Sequence, residues 1–186
     1  MNATIKEFTR VQRESDGKYN LITANSKLLS EQWYEWIDYF HDGFAIVRRE
    51  DYLNNFIDKQ GKLLSNEWFS WVNDFKDGFA TVQRANGEYN FINKKGKILS
   101  DEWFNYVDYF KGGIARVQRS DKKCNYINKN GKIISDEWFN RVFDFNDGLA
   151  KVERTNGEQA IIDKNGKIVS NIKIKRNGNE KSEINL

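Results

Sequence analysis

Five arginines recur at the same place in a repeating frame: Arg13, Arg49, Arg84, Arg119 and Arg154. A column of guanidiniums can accept phosphates or carboxylates in bidentate fashion. Equally, it can pair internally with acidic residues. The column Asp38, Asp74, Asp108 and Asp144 is the expected internal partner, though its register slips by one place between repeats. Two aromatic columns accompany the arginines. Trp33, Trp68, Trp103 and Trp138, each followed by Tyr34, Phe69, Phe104 or Phe139, read as packing between repeats, because aromatics supply large buried area. The other column changes identity, running Trp36, Trp71, Tyr106, Arg141. A position that drifts from Trp to Arg is expected to be partly exposed. Trp, Tyr and Arg are also the residues enriched at interface hot spots. The candidate binding residues are therefore Trp36, Trp71, Tyr106 and Arg141, with Arg49, Arg84 and Arg119 as a possible anion-accepting edge.

Other chemistry is thinner. Asn20, Asn55, Asn90 and Asn125 lie inside a strand-like run, where Asn is disfavoured. The expected role is a side-chain bond to backbone in the neighbouring repeat, and Asn55→Ala should then cost stability. Asp74 with Asp77 and Asp144 with Asp147 put two carboxylates near one turn, but calcium-loop spacing is absent, so they read as solvated turn residues and no metal is expected. A single His41 and a single Cys124 exclude a His-pair zinc site and a disulfide framework. Each repeat carries nearly the same carboxylates, whereas an active site needs one asymmetric constellation. The expectation is a non-enzymatic chain without a cofactor.

The elements that must position these residues follow from the repeat itself. Val11, Val47, Val82, Val117 and Val152 are spaced 36, 35, 35 and 35 residues apart, and the extra residue is Glu14 in the first loop. Four full units, about 8–43, 44–78, 79–113 and 114–148, precede a partial unit at 149–170, all in one array over 1–172. A polar cap and tail occupies 173–186. In the third unit GFATVQR reads as a strand with Ala80 and Val82 on one face. Asn86-Gly87 and Lys95-Gly96 mark hairpin bends, since Gly accepts positive φ. The Trp segment is ambiguous: Trp68, Phe69, Val72 and Phe75 fit helical spacing, with Ser65 as a cap, while Phe69, Trp71 and Phe75 also alternate. The expectation is a short helical turn running into a strand. The fold class is thus all-β, as tandem 35-residue repeats of short antiparallel strands and hairpins. An open solenoid or superhelix is favoured over a five-bladed propeller-like ring, because 35 residues are few for a blade of about 40–45.

The frame F-x-D-G-x-A-x-V…G-x-Y-N-F-I-N-K-x-G-K-I-L-S resembles the bacterial WG-repeat family, also called KWG-type β repeats, from about Phe8 to Ser170. The family's Trp-Gly is replaced here by Tyr19-Asn20, Asn54-Asn55, Tyr89-Asn90, Cys124-Asn125 and Gln159-Ala160. The Ser-x-Glu-Trp-Phe variant resembles repeats of gut bacteria and their phages. The resemblance implies an all-β array that mediates binding and has no assigned catalytic residues. A weaker similarity to the aromatic hairpins of choline-binding proteins and clostridial toxins implies glycan or choline recognition as the alternative.

Composition bounds the partners. Thirty Lys+Arg against 27 Asp+Glu give a formal charge of +3 over 186 residues, too balanced to point to nucleic acid or a membrane surface. Aromatics at 15% argue for a folded core. No run is long and apolar enough to span a bilayer, and MNATIKEFTRVQRE has no apolar signal region. A cytoplasmic location is expected, with association with a virion as the other possibility. A protein partner comes first, a glycan second, and self-association through the array ends third, as in a structural component of a phage particle.

Overall fold

A computed structural model describes residues 7–172. The expected polar tail at 173–186 lies outside the described residues. Contacts divide the chain into two compact units, Met1–Ile98 and Leu99–Leu186.

All described regular structure is antiparallel β. In the first unit, β1 (Phe8–Gln12) pairs with β2 (Tyr19–Thr23). A second sheet has the order β3 (Trp36–Ile37), β4 (Phe44–Arg48), β5 (Asn54–Asp58), and a third β6 (Trp71–Val72), β7 (Phe79–Gln83), β8 (Tyr89–Asn93). In the second unit the same order returns as β9 (Tyr106–Val107), β10 (Ile114–Gln118), β11 (Cys124–Asn128). The last sheet is β12 (Arg141–Val142), β13 (Leu149–Glu153), β14 (Gln159–Asp163), β15 (Ile168–Ile172). No ladder among the described residues joins one sheet to another.

Sheet and sequence repeat are out of phase. The two-residue strand β3 belongs to the first repeat, yet it pairs with β4 of the second through Trp36↔Arg48 and Ile37↔Val47. β6 and β12 do the same, Val72 facing Val82 and Val142 facing Val152. Each of these sheets is therefore completed by the repeat before it, which ties neighbours together by backbone hydrogen bonds as well as by side-chain packing.

Alternation sets the core. Ala45, Val47, Ala80, Val82, Ala150 and Val152 are buried, on the inward face of their strands. One cluster in the first unit gathers Leu21, Leu29, Tyr34, Ile37, Ala45, Val47 and Ile57. Its counterpart in the second unit includes Tyr126, Phe139, Val152 and Ile162. Rings also close each repeat from its start to its end: Phe8 lies 4.7 Å from Phe40 in the first repeat, and Phe44 4.9 Å from Phe75 in the second.

Turn chemistry follows the sequence closely. Asp42-Gly43, Asp77-Gly78 and Asp147-Gly148 all have positive φ at both residues, the two-residue hairpin turn that suits twisted strands. Glu14 lengthens only the first loop: there Gly17 N donates to Arg13 O, four residues back, whereas Tyr52 N and Gly87 N donate to Arg49 O and Arg84 O, three back. Gly61, Gly96, Gly131 and Gly166 have a second reason to be glycine. A Cβ there would overlap the carbonyl oxygens of Leu29, Leu64, Leu99 and Ile134, so each of these turns rests on the backbone of the preceding repeat.

The Trp segment corrects one expectation: it contains no helical turn. After the Gln60-Gly61 bend the chain bridges back at Ile57↔Leu63 and again at Asn54↔Phe69, then enters β6. Ser65 Oγ does accept from an amide two residues on, that of Glu67 at 3.0 Å. But Asn55 Nδ2 takes the carbonyls of Ser65 (2.8 Å) and Glu67 (3.0 Å), the acceptors a helix would use. The helical spacing of Trp68, Phe69, Val72 and Phe75 is a by-product of a bulge followed by a strand.

Candidate functional site

The asparagine column explains that bulge. Asn20, Asn55, Asn90 and Asn125 are all fully buried. Asn20 Nδ2 donates to Ser30 O (2.7 Å) and Gln32 O (3.2 Å), and Asn125 Nδ2 to Ser135 O (2.8 Å) and Glu137 O (3.0 Å). In each case Oδ1 accepts the next amide in the strand: Leu21, Phe56, Tyr126. The bonds stay within one repeat, 10 and 12 residues downstream, and do not reach the neighbouring repeat as the sequence led us to expect. The last repeat is the control. It has Ala160 at this position, and β15 runs directly alongside β14 with no Trp-bearing excursion to hold.

The bulge sets the two aromatic columns. Trp33, Trp68 and Trp138 are half-buried, and the residue after each is in the core, Tyr34 and Phe69 at 1% exposure and Phe139 at 0%. Two to three residues further on, the chain is an edge strand whose second residue, Ile37 or Val72, is buried. Its first residue points away: Trp71 is 44% exposed and Tyr106 50%, Arg141 is exposed and Trp36 half-buried. Trp71 meets Tyr89 in a T-shaped arrangement, at 6.3 Å between centroids. The Tyr106 hydroxyl donates to Asp108 Oδ1 at 2.9 Å, and the carboxylate's acceptance of that proton, with some burial, raises the phenol's pKa.

The arginine column joins the tryptophan column. Arg13 lies over Trp33 at 4.8 Å, Arg49 over Trp68 at 4.2 Å and Arg119 over Trp138 at 3.7 Å. Each guanidinium also holds a carboxylate: Arg13 grips Asp16, Arg49 grips Asp51 and Arg119 grips Glu102. Arg154 holds Glu137 (2.9 Å) and Asn171 (3.0 Å). Arg84 is exposed at the end of β7, and its backbone amide bonds Glu88 O. Hydrogen bonding from Arg13 draws Asp16 down to about pKa 2, and Arg49 likewise lowers Asp51.

The partners differ from the expected aspartate column. Asp108 and Asp144 are taken by Arg116, and Asp144 also by Lys111 at 3.4 Å. The reason is reach. Asp16 and Asp51 sit two or three residues beyond their arginine in the same turn, and Glu102 and Glu137 flank the tryptophan face on which an arginine already lies. In the first unit Arg13, Lys18, Trp33, Glu35, Arg49 and Asp51 line a groove of about 570 Å³. Its cations are already neutralised, Lys18 by Glu50. Among the described residues no group of three or more His, Cys, Asp or Glu side chains converges as a metal site would require.

Sequence reading passed over another column. Lys59 and Lys62, Lys94 to Lys97, Lys129 and Lys132, and Lys164 and Lys167 flank the turn glycines in every later repeat and are exposed. The signal was the recurring Lys-x-Gly-Lys, noticed only for its glycine.

Comparison with known proteins agrees with this architecture. A family model described as a WG containing repeat matches in three tandem copies, at residues 56–89, 91–124 and 126–157. With more than half of its length matched, the chain belongs to the WG-repeat family. No curated protein matches it. Among solved structures it is similar to BamB from Moraxella catarrhalis, with 11% identity, 92% of this chain and 62% of that one covered and a TM-score of 0.37. The WD40 β-propeller domain of Doa1 gives 12%, 91%, 66% and 0.37. The computationally designed Ika8 protein gives 13%, 94%, 64% and 0.39. The chain spans a little under two thirds of the length of each of these.

Proposed function

We propose that the chain is a non-enzymatic β-repeat interaction module that binds a protein. Its contacts are the leading residues of the short edge strands: Trp36 and Trp71 in the first unit, Tyr106 and Arg141 in the second. The observation that carries this reading is the exposure of Trp71 and Tyr106 beside buried neighbours. A large ring left in water at a fixed register of successive sheets contributes little to folding, and Trp, Tyr and Arg are the side chains that concentrate binding energy when a partner covers them. The arginine column supports the fold in this reading, because Arg13, Arg49 and Arg119 are stacked on tryptophans and paired with carboxylates.

Photo-crosslinking tests it. Benzoylphenylalanine at position 71 or, in a separate variant, at position 106 should give a discrete protein adduct in the native host, and Trp36→Ala should weaken the adduct at 71 without shifting the melting curve. A glycan-array signal lost on Trp71→Ala, with no protein adduct, replaces this reading with carbohydrate recognition. A signal confined to adducts with the chain itself replaces it with self-assembly.

A further inference from the structure

The lysine turns of the first unit form a stacked edge that carries more positive than negative charge. Gly61 rests on Leu29 O and Gly96 on Leu64 O, so each turn lies against the residues that immediately follow the turn before it. This brings the turn ending in Lys27, the turn Lys59–Lys62 and the turn Lys94–Lys97 into one ladder. Six exposed lysines belong to it: Lys27, Lys59, Lys62, Lys94, Lys95 and Lys97. Three carboxylates engage these turns among the described residues. Glu7 pairs with Lys59 (2.6 Å) and Asp42 with Lys94 (2.7 Å). Asp58 is used by backbone, accepting the amides of Gln60 and Lys62 at 2.9 Å each. The excess of three positive charges on this edge equals the formal +3 of the entire chain. The contrast with the arginines is direct: Arg13 and Arg49 are neutralised by neighbours in their own turns, whereas no described ion pair engages Lys27, Lys62, Lys95 or Lys97.

We propose that this lysine edge docks an acidic polypeptide segment. The claim rests on the reading above that the partner is a protein, and it adds the partner's chemistry. The structure supplies the template. Lys59 holds Glu7 and Lys94 holds Asp42, one carboxylate to one ammonium. Lysine is a compact, mobile point charge, suited to successive carboxylates along an extended chain, while planar bidentate recognition would favour arginine. Such an edge attracts an acidic partner from a distance and makes association strongly salt-dependent.

Fluorescence anisotropy of labelled poly-L-glutamate against the full chain tests the proposal. Saturable binding that weakens as salt rises is expected. Lys62→Gln/Lys95→Gln/Lys97→Gln should weaken it about tenfold, as three exposed ion pairs of typical strength would. A control, Lys111→Gln/Lys123→Gln/Lys151→Gln, removes the same charge elsewhere and should leave affinity nearly unchanged. Absence of binding, or equal loss in both variants, overturns the proposal. Tighter binding of duplex DNA or polyphosphate through the same lysines also overturns it, by making the edge a general polyanion site. Trp71→Ala should leave the titration intact, so failure of the aromatic contact and failure of the lysine edge are read separately.

Discussion

Replacing Asn55 with alanine removes the support of one bulge and leaves every apolar contact in place. The side chain makes three hydrogen bonds, to Ser65 O at 2.8 Å, to Glu67 O at 3.0 Å and from the Phe56 amide at 2.7 Å, with no exposure to water. At about 1 kcal/mol net for each bond, the loss is about 3 kcal/mol. The newly formed gap and the buried Phe56 amide, left without its acceptor, push it upward. Water reaching the Ser65 and Glu67 carbonyls, which lie nearer the surface, pulls it back. For a chain of this size 3 kcal/mol lowers the melting temperature by about 6–12 °C. Circular dichroism melts of wild type, Asn55→Ala and Asn55→Asp measure it. Aspartate keeps the acceptor for the Phe56 amide but loses both donors and buries a charge, so it should be at least as damaging as alanine. A melting curve for Asn55→Ala within a degree of wild type would refute the reasoning. So would an aspartate variant clearly more stable than the alanine one.

Other consequences are testable in the same way. Gly96→Ala should destabilise far more than Gly87→Ala: both backbones have positive φ, costing about 1–2 kcal/mol for a side chain, but only the Gly96 Cβ would overlap the Leu64 carbonyl, and paired urea titrations show the difference. The Arg13–Asp16 pair should support the fold only above acid pH. Asp16 is depressed to about 2 in the folded chain, so its contribution is complete above the unfolded value near 4 and disappears as pH falls toward 2, and Asp16→Asn should flatten that part of the stability profile. Tyr126→Phe should cost about 1 kcal/mol, because the buried hydroxyl donates to Phe143 O and leaves that carbonyl unpaired when removed, as chemical denaturation would report.

The spacing of 35, the positive-φ turns and the alternating Ala and Val faces are local quantities, and the sequence carried them without ambiguity. A turn needs glycine or aspartate wherever it lies, and a strand shows its inward face by period. The extra Glu14 and the drift from Trp36 to Arg141 were legible for the same reason: a repeat supplies its own comparison. What the sequence could not show is which repeat completes which sheet. Pairing of Trp36 with Arg48 rather than within its own unit depends on where the chain goes after the Asn20 bulge, and that is set by packing across repeats. The helical spacing of Trp68, Phe69, Val72 and Phe75 misled because Asn55, distant in sequence, takes the carbonyls a helix needs. Charge behaved likewise. Arginines and lysines recur with equal regularity in the sequence, but only the tertiary structure lays arginines on tryptophan faces beside carboxylates and leaves most of the first unit's turn lysines without a mate, because ion pairing is decided by distance in space and not by order along the chain.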